Sequence, residues 1–148
     1  MTHRCYLLVG LFWSLALAFP ALADAPPGRY TVSTTTGTVY DTRTKLTWQQ
    51  TVDANSYTQA NAKTYCTNLA PVGTGWRLPN VRELLTIVDP TKYNPSIDPT
   101  AFPSTPVDYF WSSSNYVGPS GGAWYVNFVD GSSGTDVTTS SYRVWCVH

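Results

Sequence analysis

Hydrophobic and polar residues alternate along short stretches in the last third of the chain. At residues 123–129, three large apolar side chains share one face of an extended backbone, and the intervening residues share the other. A period of two residues is typical of a β-strand. The aromatic-rich stretches 109–113 and 142–147 predict two further strands, and Asp130 with Gly131 predicts a tight turn.

An earlier stretch, Thr38 to Trp48, predicts a β-hairpin. β-branched and aromatic residues flank a turn that begins at Asp41, whose carboxylate can accept a hydrogen bond from the backbone two residues further on. By contrast, the Ser- and Gly-rich segments 112–122 and 132–141 predict flexible polar loops beside the sheet.

A helical period replaces this alternation in two places. Ser56 and Gln59 form a candidate capping box before apolar residues spaced i, i+3, i+4, i+7. Asn80 and Glu83 form a second one, before another set with helical spacing. The two sets are Ala62, Tyr65, Cys66 and Leu69, and then Val81, Leu84, Leu85 and Val88. The pattern therefore predicts two short helices.

Residues 89–109 contain five prolines, which exclude a long helix or an inner strand. We expect a long irregular loop there, anchored to the core by Tyr93, Ile97 and Phe102. Together the patterns predict an α+β fold with two short helices packed on a small twisted antiparallel sheet.

The first 23 residues have the pattern of an export signal. A short basic start precedes an apolar run that ends in Ala-Leu-Ala at Ala23. We expect cleavage after Ala23, an N-terminal linker at residues 24–36 and one domain at residues 37–148. The apolar run is shorter than the roughly 20 residues that span a bilayer. We therefore expect an exported protein with no membrane span after cleavage, located in the periplasm, on the cell surface or outside the cell.

The charge distribution argues against one class of partner, and the cysteine content predicts one disulfide. Without Arg4, eight Lys and Arg face nine Asp and Glu, and these charges are scattered along the chain. This argues against a nucleic-acid partner, which requires a clustered basic surface. Two cysteines remain after cleavage, Cys66 and Cys146, and in an oxidising compartment they predict one disulfide.

Five stretches, taken in order, resemble one bacterial family: LTWQQ, GWRLPNVRELLTIVD, FWSSS, AWYVNFVDGSSG and YRVWCVH. They are similar to the DUF1566 domain, also called the C-terminal domain of the Legionella collagen-like (Lcl) adhesin. The resemblance covers roughly residues 37–148 and implies a C-type-lectin-like fold related to the formylglycine-generating-enzyme domain. We interpret the GWRLPN segment as architectural, with Trp76 filling the junction of helices and sheet and Arg77 reaching the proline-rich loop.

Candidate catalytic groups are few. His148 is the only histidine after the signal, so a Ser–His or Cys–His pair is not expected. The resemblance brings no formylglycine-generating activity, because the reactive cysteine pair of that family is missing. Eight of the nine carboxylates, those within residues 37–148, could support a small hydrolase with paired Asp residues, but turn or cap roles are expected for Asp41, Glu83 and Asp130. We expect no enzyme, no cofactor and no metal ion, and the hydrolase is kept as an alternative.

The remaining signal is a composition rich in Tyr, Trp, Asn, Ser and Thr, which suits an adaptable recognition surface. We expect a non-catalytic recognition or adhesion domain that binds a glycan or a cell-surface protein. A structural module of a cell-envelope assembly is a further alternative, and Trp111, Trp124 and Trp145 are expected in the core. The candidate ligand contacts are Tyr109, Asn115, Tyr116, Asn127, Asp130 and Arg143.

Overall fold

The computed structural model describes residues 26–69, 74–118 and 121–148. The expected signal segment, residues 1–23, lies outside them. Within the described residues, two helices and two three-stranded antiparallel sheets form an α+β fold, as predicted. Its C-type-lectin-like character stays a prediction. The elements are β1 (Tyr30–Ser33), β2 (Thr38–Asp41), β3 (Leu46–Gln49), α1 (Gln59–Asn68), α2 (Val81–Thr86), β4 (Tyr109–Tyr116), β5 (Gly122–Asn127) and β6 (Ser133–Val137).

The first sheet has the order β1-β2-β3 and contains the predicted hairpin. The Asp41 carboxylate accepts a hydrogen bond from the backbone N–H of Arg43 at 2.9 Å, which is the expected turn contact. β1 was not expected, because it lies within the segment 24–36 that we interpreted as a linker. Its four residues all pair with β2, from Tyr30 opposite Asp41 to Ser33 opposite Thr38. The sheet therefore extends into this segment.

The second sheet has the order β4-β5-β6. The prediction of two flexible loops was wrong for part of each segment, since β4 continues to Tyr116 and residues 133–137 form β6. β6 is an edge strand, and its backbone pairs with β5 although its side chains are small or polar. The C-terminal stretch 142–147 is not a regular strand, and only isolated bridges pair it with its neighbours.

The helices begin where side chains satisfy free backbone N–H groups. For α1 the N-cap is Thr58, whose hydroxyl accepts from the backbone N–H of Asn61, and not Ser56 as predicted. For α2 the predicted capping box is confirmed: the Asn80 side chain accepts from the Glu83 backbone, and Glu83 accepts from the Asn80 backbone.

The C-terminal segment, residues 142–148, joins the two halves of the fold. Its residues pair with positions on both sheets and in the loops that precede α1 and α2: Tyr57 with Tyr142, Phe110 with Arg143, and both Trp48 and Arg77 with Val147. The predicted disulfide between Cys66 and Cys146 is present, with the two Cα atoms 5.4 Å apart. α1 is therefore covalently tied to this segment.

Two buried clusters fill the interior. The first lies around Trp48, Phe102, Phe110 and Trp145, and the second around Trp76, Trp111 and the disulfide. Burial of Trp111 and Trp145 is as predicted, whereas Trp124 is only half-buried.

The proline-rich loop contributes to the first cluster. Ile97 and Phe102 are buried as predicted, but Tyr93 is 73% exposed and anchors nothing in the core. Trp76 is buried as the architectural interpretation of GWRLPN requires. Arg77 does not reach the loop, because its guanidinium donates to both carboxylate oxygens of Glu83 at 2.7 Å. No helix in the described part of the chain has the length and hydrophobicity needed to cross a bilayer.

Candidate functional site: a tyrosine surface

Three tyrosine rings meet on one face of the second sheet. The Tyr109 ring lies 5.1 Å from that of Tyr125 and 5.3 Å from that of Tyr142, and Tyr125 and Tyr142 are also 5.3 Å apart. The pleat explains the first contact: Tyr109 and Trp111 point to the same face of β4, and Tyr125 is the partner of Trp111. Tyr142 packs on the ring of Trp111 at 4.6 Å.

The start of α1 extends this group of rings. Tyr57 and Tyr142 exchange two backbone hydrogen bonds, at 2.8 and 3.0 Å, and the Tyr57 ring lies 5.1 Å from that of Tyr65. We call the five residues Tyr57, Tyr65, Tyr109, Tyr125 and Tyr142 the tyrosine surface. Tyr109 is 40% exposed, and the other four are half-buried.

The hydroxyl groups of the tyrosine surface are held by neighbouring polar groups. Tyr142 donates to Asp136 at 2.6 Å, and Tyr57 donates to Asp53 at 3.1 Å. Burial, together with the bond to Asp136, raises the pKa of Tyr142. The Tyr142 hydroxyl in turn holds the pKa of Asp136 below its usual value, so the pair is a neutral phenol beside a carboxylate.

Arg143 forms the rim of this surface beside Tyr109. Its backbone N–H donates to the carbonyl of Tyr109 at 2.9 Å. Its guanidinium donates to the Asp108 carboxylate at 3.1 Å and also to the carbonyl of Ala54. The cation is therefore fixed next to the most exposed ring of the group.

The six predicted ligand contacts do not form one site. Tyr109, Asn127 and Arg143 are neighbours, because Tyr109 pairs with Asn127 across the sheet and with Arg143 through the backbone. Asn115 and Tyr116 lie at the opposite end of β4, roughly 20 Å away at about 3.3 Å per residue.

Two of the predicted contacts have structural roles in the turn after β5. Asp130 accepts from both the backbone and the hydroxyl of Ser132, which closes the turn. The Asn127 side chain accepts from the backbone N–H of Val129 at 3.0 Å. These hydrogen bonds hold the side chains of Asn127 and Asp130 within the turn.

Sequence reasoning missed Tyr57, Tyr125 and Tyr142 as candidate contacts, and it placed Tyr65 only on the apolar stripe of α1. A signal for Tyr125 was present, since it lies two residues before Asn127 on the same face of the strand. No sequence pattern connects Tyr57 with the sheet, because the backbone pairing with Tyr142 joins residues 85 positions apart.

A family model described as the Lcl C-terminal domain matches residues 37–148. The chain belongs to the Lcl C-terminal domain family. A search of curated proteins found no match to this chain. The matched range includes all five residues of the tyrosine surface, whereas β1 precedes it. In this Lcl C-terminal domain, β1 therefore belongs to the first sheet although it lies outside the residues that the family model matches.

Several carboxylates of this Lcl C-terminal domain are held by specific partners. Burial disfavours the charged form of Asp41, but hydrogen bonds from Arg29 and Arg43 hold its pKa below the usual value. Arg77 likewise lowers the pKa of Glu83. Among the described residues, no three His, Cys, Asp or Glu side chains come together as a possible metal site.

A cavity of about 420 Å³ lies between the N-terminal strands and the proline-rich loop. Arg29, Tyr30, Asp89 and Asp98 are among the residues that line it. Asp89 and Asp98 each hold a turn, accepting from the backbone and hydroxyl of the threonine two residues on. Arg29 is paired with Asp41, so its positive charge is already compensated within the domain.

Proposed function

We propose that this Lcl C-terminal domain is an exported, non-catalytic recognition domain that binds a glycan or a cell-surface protein through the tyrosine surface. The observation that carries the proposal is the contact of Tyr109, Tyr125 and Tyr142 on one face of the sheet, with Tyr109 open to solvent. Tyrosine gives a large contact area at low cost in conformational entropy and keeps a hydroxyl for hydrogen bonding.

The surroundings of the rings support this proposal. The rings cover the cluster that contains the disulfide, so a rigid base lies beneath them. The Asp136 and Asp53 contacts restrict two of the hydroxyls, which lowers the entropy lost when a ligand binds. Arg143 adds a fixed cation at the rim. These features fit a preformed binding surface on the expected lectin-like scaffold.

Five of the carboxylates are poorly suited to act as a general acid. A general acid that works near neutral pH needs a raised pKa. The pKa values of Asp41, Asp53 and Glu83 are instead lowered, as are those of Asp130 and Asp136. The cause is in each case a hydrogen bond that serves the fold. The disulfide is compatible with export to an oxidising compartment.

The test is a glycan array and a cell-surface binding assay with the purified exported protein, each run with and without chelator. Tyr109→Ala should reduce binding at least tenfold. Tyr116→Ala is the matched control, since Tyr116 is 37% exposed but lies at the other end of β4, and it should bind normally. Equal binding by both variants and the unaltered protein would rule out the tyrosine surface as the contact.

The hydrolase alternative rests on one observation, the presence of Asp89 and Asp98 in the same cavity. One oxygen of Asp89, Oδ2, is buried and has no hydrogen-bond partner among the described residues. Hydrolysis of chromogenic glycosides that is lost in Asp89→Asn and Asp98→Asn would favour this alternative. Failure of both the binding and the hydrolysis assays would favour the structural module of an envelope assembly.

A further inference from the structure

An open groove runs along the outer side of α1 at one end of the tyrosine surface. Its volume is about 360 Å³, which lies within the range of roughly 300–1,000 Å³ found for small-molecule sites. The lining residues are Tyr57, Asn61, Thr64, Tyr65, Asn68 and Leu69.

Helical geometry places the polar lining residues in one row. Asn61, Thr64 and Asn68 are spaced i, i+3, i+7, so they share one stripe of α1, and all three are exposed. Asn61 and Asn68 are two turns apart, about 10.5 Å along the helix axis. Each side-chain amide offers two N–H donors and one acceptor oxygen, and the Thr64 hydroxyl can still accept a hydrogen bond.

The two rings form an apolar wall beside this row. The Tyr57 and Tyr65 ring planes are inclined by 34°, closer to parallel than to perpendicular. Their hydroxyls are anchored away from the wall, because Tyr57 donates to Asp53 and Tyr65 accepts from Gln49 at 3.2 Å. The wall is thus fixed in place before any ligand arrives.

All six lining side chains are uncharged at neutral pH. A phosphate or sulfate would find no cation among them to pair with. A purely apolar ligand would take exposed amides out of water without hydrogen bonds, which costs free energy. An uncharged pyranose avoids both problems, since its C–H face can pack on a ring while its hydroxyls bond to amides.

We propose that this groove binds one residue of an uncharged saccharide, with the C–H face of the sugar on Tyr57 and Tyr65 and its hydroxyls on Asn61 and Asn68. The inference rests on the proposed recognition function and names its ligand class. Binding requires no metal ion, because amides, a hydroxyl and rings supply every contact.

The test uses the exported protein with its disulfide intact and four neutral probes: maltotriose, cellotriose, mannotriose and N-acetylchitotriose. In ¹H–¹⁵N NMR titrations, at least one probe should shift the side-chain amide signals of Asn61 and Asn68, and chelator should have no effect. Asn61→Ala/Asn68→Ala should weaken affinity for that probe at least tenfold, which equals roughly 1.4 kcal/mol. Thr67→Ala is the control, because Thr67 is an exposed residue of α1 outside the groove, and it should bind like the unaltered protein.

Three results would overturn the inference: no probe binds at millimolar concentration, the shifts map away from α1, or the double variant binds normally. The double variant should keep its Tm because both side chains are exposed, so a lost affinity would not reflect unfolding. If the neutral probes fail but another glycan or a protein binds in a Tyr109-dependent manner, only the groove assignment falls. If no ligand depends on Tyr109 either, the recognition function falls with it.

Discussion

Arg29 donates to both carboxylate oxygens of Asp41, through Nε at 3.3 Å and Nη2 at 2.9 Å. The side chains are 11% and 0% exposed, and the same guanidinium also donates to the carbonyl of Thr86. One partly buried arginine, immediately before β1, therefore contacts both β2 and the last residue of α2. Arg29 precedes residues 37–148, which the family model matches. Its contacts with Asp41 and Thr86 therefore join the segment that contains β1 to the rest of the domain.

Asp41→Asn should destabilise the domain by about 1–3 kcal/mol, because the partly buried Arg29 guanidinium loses its charged partner and keeps only the Thr86 carbonyl. The double variant Arg29→Met/Asp41→Asn removes both charges, keeps an amide oxygen for the turn contact with Arg43, and should recover part of that loss. Urea unfolding of the three proteins, followed by tryptophan fluorescence, measures the differences. Similar losses in the single and double variants would show that the loss does not come from the unpaired Arg29 charge.

Acid sensitivity should depend on the same carboxylate. The pKa of Asp41 is lower in the folded protein than its reference value of 3.8, so its contribution to stability is complete above that value. The contribution disappears as the pH falls through the lower, folded-state pKa. Below about pH 4, the stability of the unaltered protein should fall more steeply than that of Asp41→Asn. Parallel pH profiles from Tm measurements would contradict this assignment.

The disulfide should account for a large part of the stability. It closes a loop with a sequence separation of 80 residues, which corresponds to about 4–5 kcal/mol in the chain-entropy model. Cys66→Ala/Cys146→Ala should lower the Tm by more than about 10 °C under oxidising conditions. Reductant should then have no further effect on the variant. A Tm equal to that of the oxidised protein would show that the bond adds no stability.

Gly134 provides space for one ring of the tyrosine surface. A Cβ atom at this position would lie 2.5 Å from the Tyr125 hydroxyl oxygen and 2.7 Å from Cζ, so Gly134→Ala must displace the ring. We expect changed aromatic proton shifts for Tyr125 and its ring neighbours Tyr109 and Tyr142, and weaker binding of any ligand of this surface. Thr135→Ala, on the opposite face of the same strand, should leave those shifts unchanged. Identical spectra for both variants would mean that the ring is not held over Gly134.

Local signals predicted the parts of the fold that depend on neighbouring residues. The Asn80–Glu83 capping box and the Asp41 turn are short-range contacts, and the sequence spacing identifies both. The disulfide was predictable for a different reason, since Cys66 and Cys146 are the two cysteines left after the expected signal. The helix start at Thr58 differs from the prediction because Ser56 and Thr58, two positions apart, are both suitable N-cap residues.

Long-range pairing explains most of what sequence reasoning missed. β6 has no apolar alternation, and its strand conformation depends on the backbone of β5. β1 likewise forms by pairing with β2, while its side chains are polar or partly exposed. The candidate contacts were divided between two ends of β4 because Asn115 and Tyr116, expected in a flexible loop, instead continue the strand away from Tyr109. The tyrosine surface itself depends on the pairing of Tyr57 with Tyr142.

Residues 142–148 connect the parts of the molecule that must come together for it to fold. These residues bridge to both sheets and to the loops before the two helices, and Cys146 carries the cross-link to α1. They supply Trp145 and Val147 to the first buried cluster and Val144 and Cys146 to the second. Neither cluster can close without them, so folding of the whole domain is completed only when residues 142–148 are in place.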